Sequence, residues 1–215
     1  MPLEDHIGDV CRKARIQTNT SMEAATAAAG VDKASLYAFE TDGIEAASVN
    51  VVALARVLGL DVAKAKRIAG GWGPASVDLS LWQELRMVTT AEGFEVNSFL
   101  IWDAKLKVAA LFDTGWFAND IFKLIDDYDL DLQHLFITHM HGDHVAAIGP
   151  VRKRHPGVRL HSNSEHAPME QRVDSGKSVS VGDLIVDARL TPGHASDGVT
   201  YVVRGWPGGA PMVAV

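Results

Sequence analysis

One cysteine, Cys11, in 215 residues excludes an internal disulfide and a thiolate metal cluster, so any metal must be held by histidine or carboxylate. Long apolar runs are missing too. The longest, such as Val108 to Phe112, fall far short of the roughly 20 residues that a membrane-spanning helix needs. No segment repeats at a fixed period. The N-terminus, Met1-Pro2-Leu3-Glu4-Asp5, is acidic where a secretion leader would be basic and then apolar. These absences predict a soluble, cytoplasmic protein with no membrane partner. What is present, 47% hydrophobic and 22% charged residues with a net charge of −7, is globular composition and excludes disorder. At about 100–200 residues per domain, the length admits one large domain or two small ones.

Tryptophan and proline divide the chain. Residues 1–70 hold 15 alanines, no tryptophan and no proline after Pro2, whereas the rest holds 13 alanines, all five tryptophans and seven prolines. Gly70-Gly71-Trp72-Gly73-Pro74 sits on that boundary and ends any helix entering it. The expected organisation is a helical bundle over 1–70, a linker over 71–76 and a second domain over 77–215.

In the first segment, Ile7, Val10, Cys11 and Ala14 recur at helical spacing, as do Val51, Leu54, Ala55 and Leu58. Thr20-x-x-Glu23 reads as a capping box, Gly30 as a helix stop, Asp32 as the cap of a helix to Glu40, and Asp61 as the cap of a fifth helix through Ile68. Helix, glycine-containing turn, helix is the order of a helix-turn-helix unit. Ser21-Met22-Glu23-Ala24-Ala25, Gly30-Val31-Asp32-Lys33-Ala34-Ser35-Leu36-Tyr37, Glu40 and Leu54-Ala55-Arg56-Val57-Leu58-Gly59-Leu60 resemble the phage-repressor-like helix-turn-helix family over about residues 5–68. That resemblance implies a recognition helix over 32–40, DNA as a partner, and Lys33, Ala34, Ser35 and Tyr37 facing the major groove. Eight Lys+Arg against nine Asp+Glu make a poor electrostatic footprint for DNA, with local cationic faces at Arg12, Lys13, Arg15 and at Lys64, Lys66, Arg67. The alternative is a small bundle used for homodimerisation or docking.

In the second segment, Asn97 to Trp102 and Lys107 to Phe112 read as strands, the latter ending in the turn Asp113-Thr114-Gly115. Trp116 to Asp127 has helical spacing with Phe117, Ile121, Leu124 and Ile125 on one side. Leu135 to Ile137, Leu160, Ser178 to Leu190 and Val199 to Val203 read as strands, and Val145 to Arg154 as a helix. Alternating strands and helices predict an α/β (α+β) domain, a sheet with helices packed on it.

Histidine carries the chemistry. Eight of nine lie after position 130. Thr138-His139-Met140-His141-Gly142-Asp143-His144 follows a buried strand, and on an extended chain His139 and His141 point to the same side. Gly142 allows a sharp turn, after which Asp143 and His144 supply an oxygen and a nitrogen to a neighbouring position. His194, in Thr191-Pro192-Gly193-His194, can complete a three-histidine set. Imidazole with carboxylate suits catalytic zinc, and also iron or manganese, and a water on such an ion has its pKa lowered to about 7. His6, His134, His155, His161 and His166 read as surface or hydrogen-bonded core residues.

Phe112-Asp113-Thr114-Gly115, Ile137-Thr138-His139-x-His141-Gly142-Asp143-His144 and Thr191-Pro192-Gly193-His194-Ala195-Ser196-Asp197-Gly198-Val199-Thr200-Tyr201 closely resemble the metallo-β-lactamase fold superfamily over about residues 82–215. The resemblance implies an αββα sandwich. His139, His141 and His194 would bind a first metal, Asp143 and His144, the candidate catalytic residues, a second, and Asp113 would orient ligands. Ala146-Ala147 replaces the family's glycine pair. The Gly-Asp and later histidine that complete the second site do not follow Pro211-Met212-Val213-Ala214-Val215, so the reading is one well-formed metal site or a piece of a longer two-metal enzyme, with an unpaired sheet edge.

The implied activity is attack of metal-bound hydroxide on the ester, thioester or lactone carbonyl of a small acyl substrate. The motif looks most like the hydroxyacylglutathione hydrolase and lactonase branches. Nuclease branches fit less well with 12 Lys+Arg against 18 Asp+Glu in the second segment, and β-lactam hydrolysis less well without an export signal. The rival reading is a transcriptional regulator whose metal domain senses a ligand without turnover.

Overall fold

Apolar residues three and four apart organise the N-terminal part of the chain into five helices: α1 (Ile7–Gln17), α2 (Met22–Ala29), α3 (Lys33–Asp42), α4 (Val51–Val57) and α5 (Val62–Ala69). The computed structural model describes residues 6–43, 47–73, 75, 78–165, 172–192, 194–206 and 213–214. The chain divides into two compact units, Met1–Val77 and Asp78–Val215.

The helix starts of the first unit are local devices. Asp32 Oδ1 accepts the Ser35 N–H at 2.8 Å and Asp61 Oδ1 the Lys64 N–H at 2.9 Å, each satisfying an amide without a helical acceptor. α2 departs from expectation by one residue. Ser21, not Thr20, caps it, taking the Ala24 N–H at 3.2 Å, because the Thr20 hydroxyl is engaged with that of Thr18 at 2.8 Å. Gly30 ends α2 in the left-handed region, and Gly30, Val31 and Asp32 make the turn to α3. Cys11, Ala25, Leu36, Phe39, Leu54 and Leu58 lie in the core. Arg15 clamps the buried Glu40 with two hydrogen bonds of 2.8 Å, tying α1 to α3.

The second unit is two sheets face to face. The first runs β1 (Leu85–Ala91), β2 (Glu95–Trp102), β3 (Val108–Phe112), β4 (Asp131–Phe136), β5 (Arg159–His161), antiparallel as far as β3 and parallel from β3 to β5. The second is an antiparallel meander of β6 (Ser178–Val181), β7 (Leu184–Leu190), β8 (Val199–Arg204) and β9 (Val213–Ala214). Helix α6 (Asn119–Asp127) links β3 to β4, and α7 (Gly142–Val145) with α8 (Ile148–Arg154) links β4 to β5. Parallel neighbours require such crossovers.

β3 is apolar throughout because both of its faces are covered. Ala109 and Leu111 pack with Ile121, Ile125 and Val151 of the helices, while Ala110 and Phe112 pack with Val186, Tyr201 and Val203 of the second sheet.

Three segments differ from expectation. β1 carried no strand signal, since its Arg86, Thr89 and Thr90 dilute the apolar alternation. Trp116 and Phe117 precede α6 rather than open it: the Trp116 N–H goes to Thr90 Oγ1 at 3.0 Å, and Phe117 is 51% exposed. The helix expected over 145–154 is two, broken where Thr114 Oγ1 accepts the Ala147 N–H at 3.0 Å. The expected strand over Pro211 to Val215 is described only at Val213–Ala214.

Gly115, in the turn after β3, has φ of +63°, and a Cβ there would collide with Thr90 Oγ1. Gly115→Ala is expected to cost about 1–3 kcal/mol through a strained backbone and overpacking. The shift of the urea midpoint measures it.

Candidate metal centre

The C-terminal ends of β3 and β4, parallel neighbours, deliver residues 113–115 and 137–144 to the same end of the sheet. In sheets of this kind ligands bind beyond those ends. Backbone bonds pin the segment after β4 from both sides, Ile137 N–H to His161 O at 2.9 Å and Val199 N–H to Thr138 O at 2.8 Å. The second of these also brings the start of β8, and the loop before it, against the histidine motif.

Three imidazoles converge there. His139 Nε2 lies 3.0 Å from His141 Nδ1, and His194 Nε2 lies 2.9 Å from the same Nδ1. The three donor atoms all fall within 4.8 Å of one another. At zinc–nitrogen bonds of about 2.0–2.1 Å, a tetrahedral angle separates two nitrogens by about 3.3 Å, so the cluster is close to ligand spacing. His139 is buried at 8% exposure. Its pKa is pushed down to about 3, first by burial and then by His144, His141 and His194, so this imidazole is neutral, the form that binds metal.

Asp113 sits beneath the cluster, 3% exposed and left-handed at φ 55°. Its Oδ1 accepts the Thr138 N–H at 2.8 Å; its Oδ2 accepts the Thr138 hydroxyl at 2.7 Å and His144 Nδ1 at 2.7 Å. The same threonine hydroxyl lies 3.0 Å from His139 Nδ1. Asp143 Oδ2 stands 3.3 Å from His144 Nε2, a carboxylate–imidazole pair beside the three histidines. The only larger donor cluster among the described residues is His139, His141 and His194.

Gly142 starts α7 without a left-handed φ, and a Cβ there would meet nothing within 4 Å. The turn into α7 therefore has no need of the glycine assigned to it. Gly193, expected to shape the loop before His194, lies outside the described residues, as does His166.

The other histidines do different work. His6 Nδ1 accepts the Asp9 N–H at 3.1 Å and caps α1. His134 and His161 pair at 3.0 Å under Phe136, and His155 lies near the Phe122 ring at 6.1 Å. In the first unit, Lys33, Ala34 and Tyr37 are exposed at the start of α3, with Ser35 half-buried. Of the expected cationic faces, Lys13 pairs with Asp9 at 2.7 Å and Arg15 with Glu40, so the first is largely neutralised. Lys64, Lys66 and Arg67 are exposed on α5.

Sequence reasoning left Thr138, Thr114 and Tyr201 without roles. Thr114 holds the histidine loop, its N–H donating to His144 O at 2.8 Å, and the buried Tyr201 hydroxyl donates to Ile137 O at 3.0 Å. Only Thr138 carried a signal, its position before the first histidine. A cavity of about 420 Å³ is lined by Met140, which lies between His139 and His141, by Ser196 and Asp197 just after His194, and by Asn163, Ser164 and Glu165.

A two-sheet α/β sandwich with three histidines at the strand ends defines the class. The family profile described as Metallo-beta-lactamase superfamily matches residues 91–215, and the chain belongs to that family. It is 34% identical over 99 residues to a hydroxyacylglutathione hydrolase of Rhodopseudomonas palustris, covering 44% of this chain and 33% of that protein. It is 27% identical over 111 residues to a probable polyketide biosynthesis zinc-dependent hydrolase of Bacillus velezensis, covering 49% of each. The crystal structure of ETHE1 from Myxococcus xanthus superposes with a TM-score of 0.50 at 30% identity, covering 55% of this chain and 53% of that one. The chain thus spans a third to a half of the length of the relatives it matches.

Proposed function

We propose that the second unit is a metal-dependent hydrolase of an ester, thioester or lactone, with zinc as its ion and iron or manganese as substitutes. The observation that carries this reading is the convergence of His139, His141 and His194 on one point at ligand spacing. The zinc-dependent and hydroxyacylglutathione hydrolases among its relatives support it. A bound divalent ion supplies Lewis acidity, polarising a carbonyl and acidifying a water. The protein's own residues do the rest. The three histidines hold the ion, Asp113 orients His139 through Thr138 and meets His144 directly, and Asp143 with His144 offers a carboxylate and an imidazole to hold a second ion or accept a proton. The cavity lined by Met140, Ser196 and Asp197 receives the small acyl substrate, whose polar groups meet Asn163, Ser164 and Ser196.

A panel of one aryl ester, one glutathione thioester and one acyl lactone, assayed before and after chelation and again after zinc, iron or manganese is restored, tests this. Hydrolysis of at least one that chelation removes and metal returns is expected. Turnover of none by the metal-loaded chain overturns the reading.

A second reading concerns the first unit, which we propose contacts DNA through α3. It rests on the three-residue glycine-containing turn between α2 and α3 and on the exposed Lys33, Ala34 and Tyr37 beyond it. Lys64, Lys66 and Arg67 supply phosphate contacts. Titrating duplex DNA with the full chain at several salt concentrations should show affinity falling with salt, with a log–log slope near −0.9 for each phosphate neutralised, about −3 for three lysines or arginines. Binding indistinguishable from background at low salt leaves the bundle as a homodimerisation or docking element. None of the described helices is long and apolar enough to cross a membrane.

A further inference from the structure

We propose that Thr138 is a positioning residue that decides which nitrogen of His139 is presented to the metal. The inference rests on the metal-binding reading of the three histidines. A carboxylate oxygen has no proton to give, so the 2.7 Å contact between Thr138 Oγ1 and Asp113 Oδ2 runs from hydroxyl to carboxylate. A threonine hydroxyl has one proton. With it committed to Asp113, Oγ1 can meet His139 Nδ1, 3.0 Å away, only as an acceptor. His139 therefore carries its proton on Nδ1, and its bare Nε2 faces His141 Nδ1 at 3.0 Å.

The same carboxylate oxygen accepts a hydrogen bond from His144 Nδ1 at 2.7 Å. One buried aspartate thus sets two imidazoles, His144 directly and His139 through a single hydroxyl. The threonine backbone is held independently, its N–H by Asp113 Oδ1 at 2.8 Å and its carbonyl by the Val199 N–H at 2.8 Å. Removing the hydroxyl alone leaves that path in place, so Thr138→Val isolates the hydrogen-bond relay from the fold.

The zinc dissociation constant of the full chain, measured by competition with a chromophoric chelator, is expected to weaken about 10- to 100-fold in Thr138→Val. Thr138→Ser, which restores the hydroxyl, should stay within about threefold of the parent. Nitrogen NMR of the metal-free parent should show His139 protonated on Nδ1, a signature that a packing role for Thr138 would not impose. An unchanged constant in Thr138→Val, an equal loss in Thr138→Ser, or His139 protonated on Nε2 each overturns the proposal. If Thr138→Val does not fold, the serine variant and the nitrogen spectrum decide. A parent that binds zinc tightly yet hydrolyses nothing counts against the hydrolase reading alone, and a parent that binds no zinc overturns both.

Discussion

Replacing His139 and His141 together with alanine should abolish stoichiometric zinc binding, weakening affinity by roughly three orders of magnitude or more. Loss of an outer hydrogen-bond partner alone typically costs 10- to 100-fold, and this change removes two of three ligand atoms directly. His141 Nδ1 is central to the cluster, within 3.0 Å of His139 Nε2 and 2.9 Å of His194 Nε2, so the double variant removes the two imidazoles that share the cluster with His194. Elemental analysis after dialysis gives the stoichiometry, and the chelator competition gives the affinity. An ion bound by the folded chain alone stabilises it by mass action, so the parent should melt higher with zinc than without, and the variant should show no such rise. Retained stoichiometry in the double variant would remove these residues from the ligand set. A His155→Ala control, outside the cluster, should bind zinc as the parent does.

The second large effect is acid sensitivity from a histidine pair that takes no part in the metal centre. His134 is 3% exposed, its Nδ1 lies 3.0 Å from His161 Nε2, and the Phe136 ring stacks on His161 at 4.5 Å. Both are pushed down to about 4: His134 by burial and then Arg159, His161 by burial and then His134, Lys177 and Arg159. The unfolded chain titrates near 6.5. With folded values below the unfolded one, the full contribution is present above about pH 6.5. It is lost as pH falls toward about 4, because the unfolded chain takes up protons that the folded chain refuses. At about 1.4 kcal/mol per pKa unit, the loss over that window is on the order of 3 kcal/mol for one such histidine and somewhat more for the coupled pair.

The lowered carboxylates Asp103 and Asp187 lose their contributions only at lower pH, below the ordinary carboxylate value, so the two effects separate. Urea unfolding of metal-free protein at pH 7.5 and pH 4.5 measures the difference. A variant with both His134 and His161 replaced by leucine should lose less stability across that interval by about the pair's share, the remainder belonging to His139, pushed down to about 3, and to His155, also pushed down by burial. Equal losses in the parent and the variant would show that other groups carry the acid sensitivity.

Much of the molecule is legible in the amino acids because its causes are local. Asp32 and Asp61 cap helices through bonds to amides three residues on, and Gly30 ends α2 with a left-handed turn; neither needs a distant partner. β3 reads as a strand covered on both faces because five apolar residues in succession leave no polar side. The histidine motif is legible because four donor side chains in six residues have no packing rationale. Where a second partner competes, near or far along the chain, local reading fails. The hydroxyl of Thr20 goes to Thr18 and leaves the cap to Ser21, Thr114 breaks the helix over 145–154, and β1 gains its order from pairing along β2.

Helix limits set by caps, the apolar centre of the sheet and the donor-rich run from His139 to His144 follow from the amino acids alone, since each is written in residues within a few positions of one another. The tertiary structure alone decided that His194 meets His141 across 53 positions, and that Asp113 reaches both Thr138 and His144. Residue type states what a group can bind, but which groups come within 3 Å depends on strand order and on sheets packed face to face, and no spacing along the chain encodes that distance.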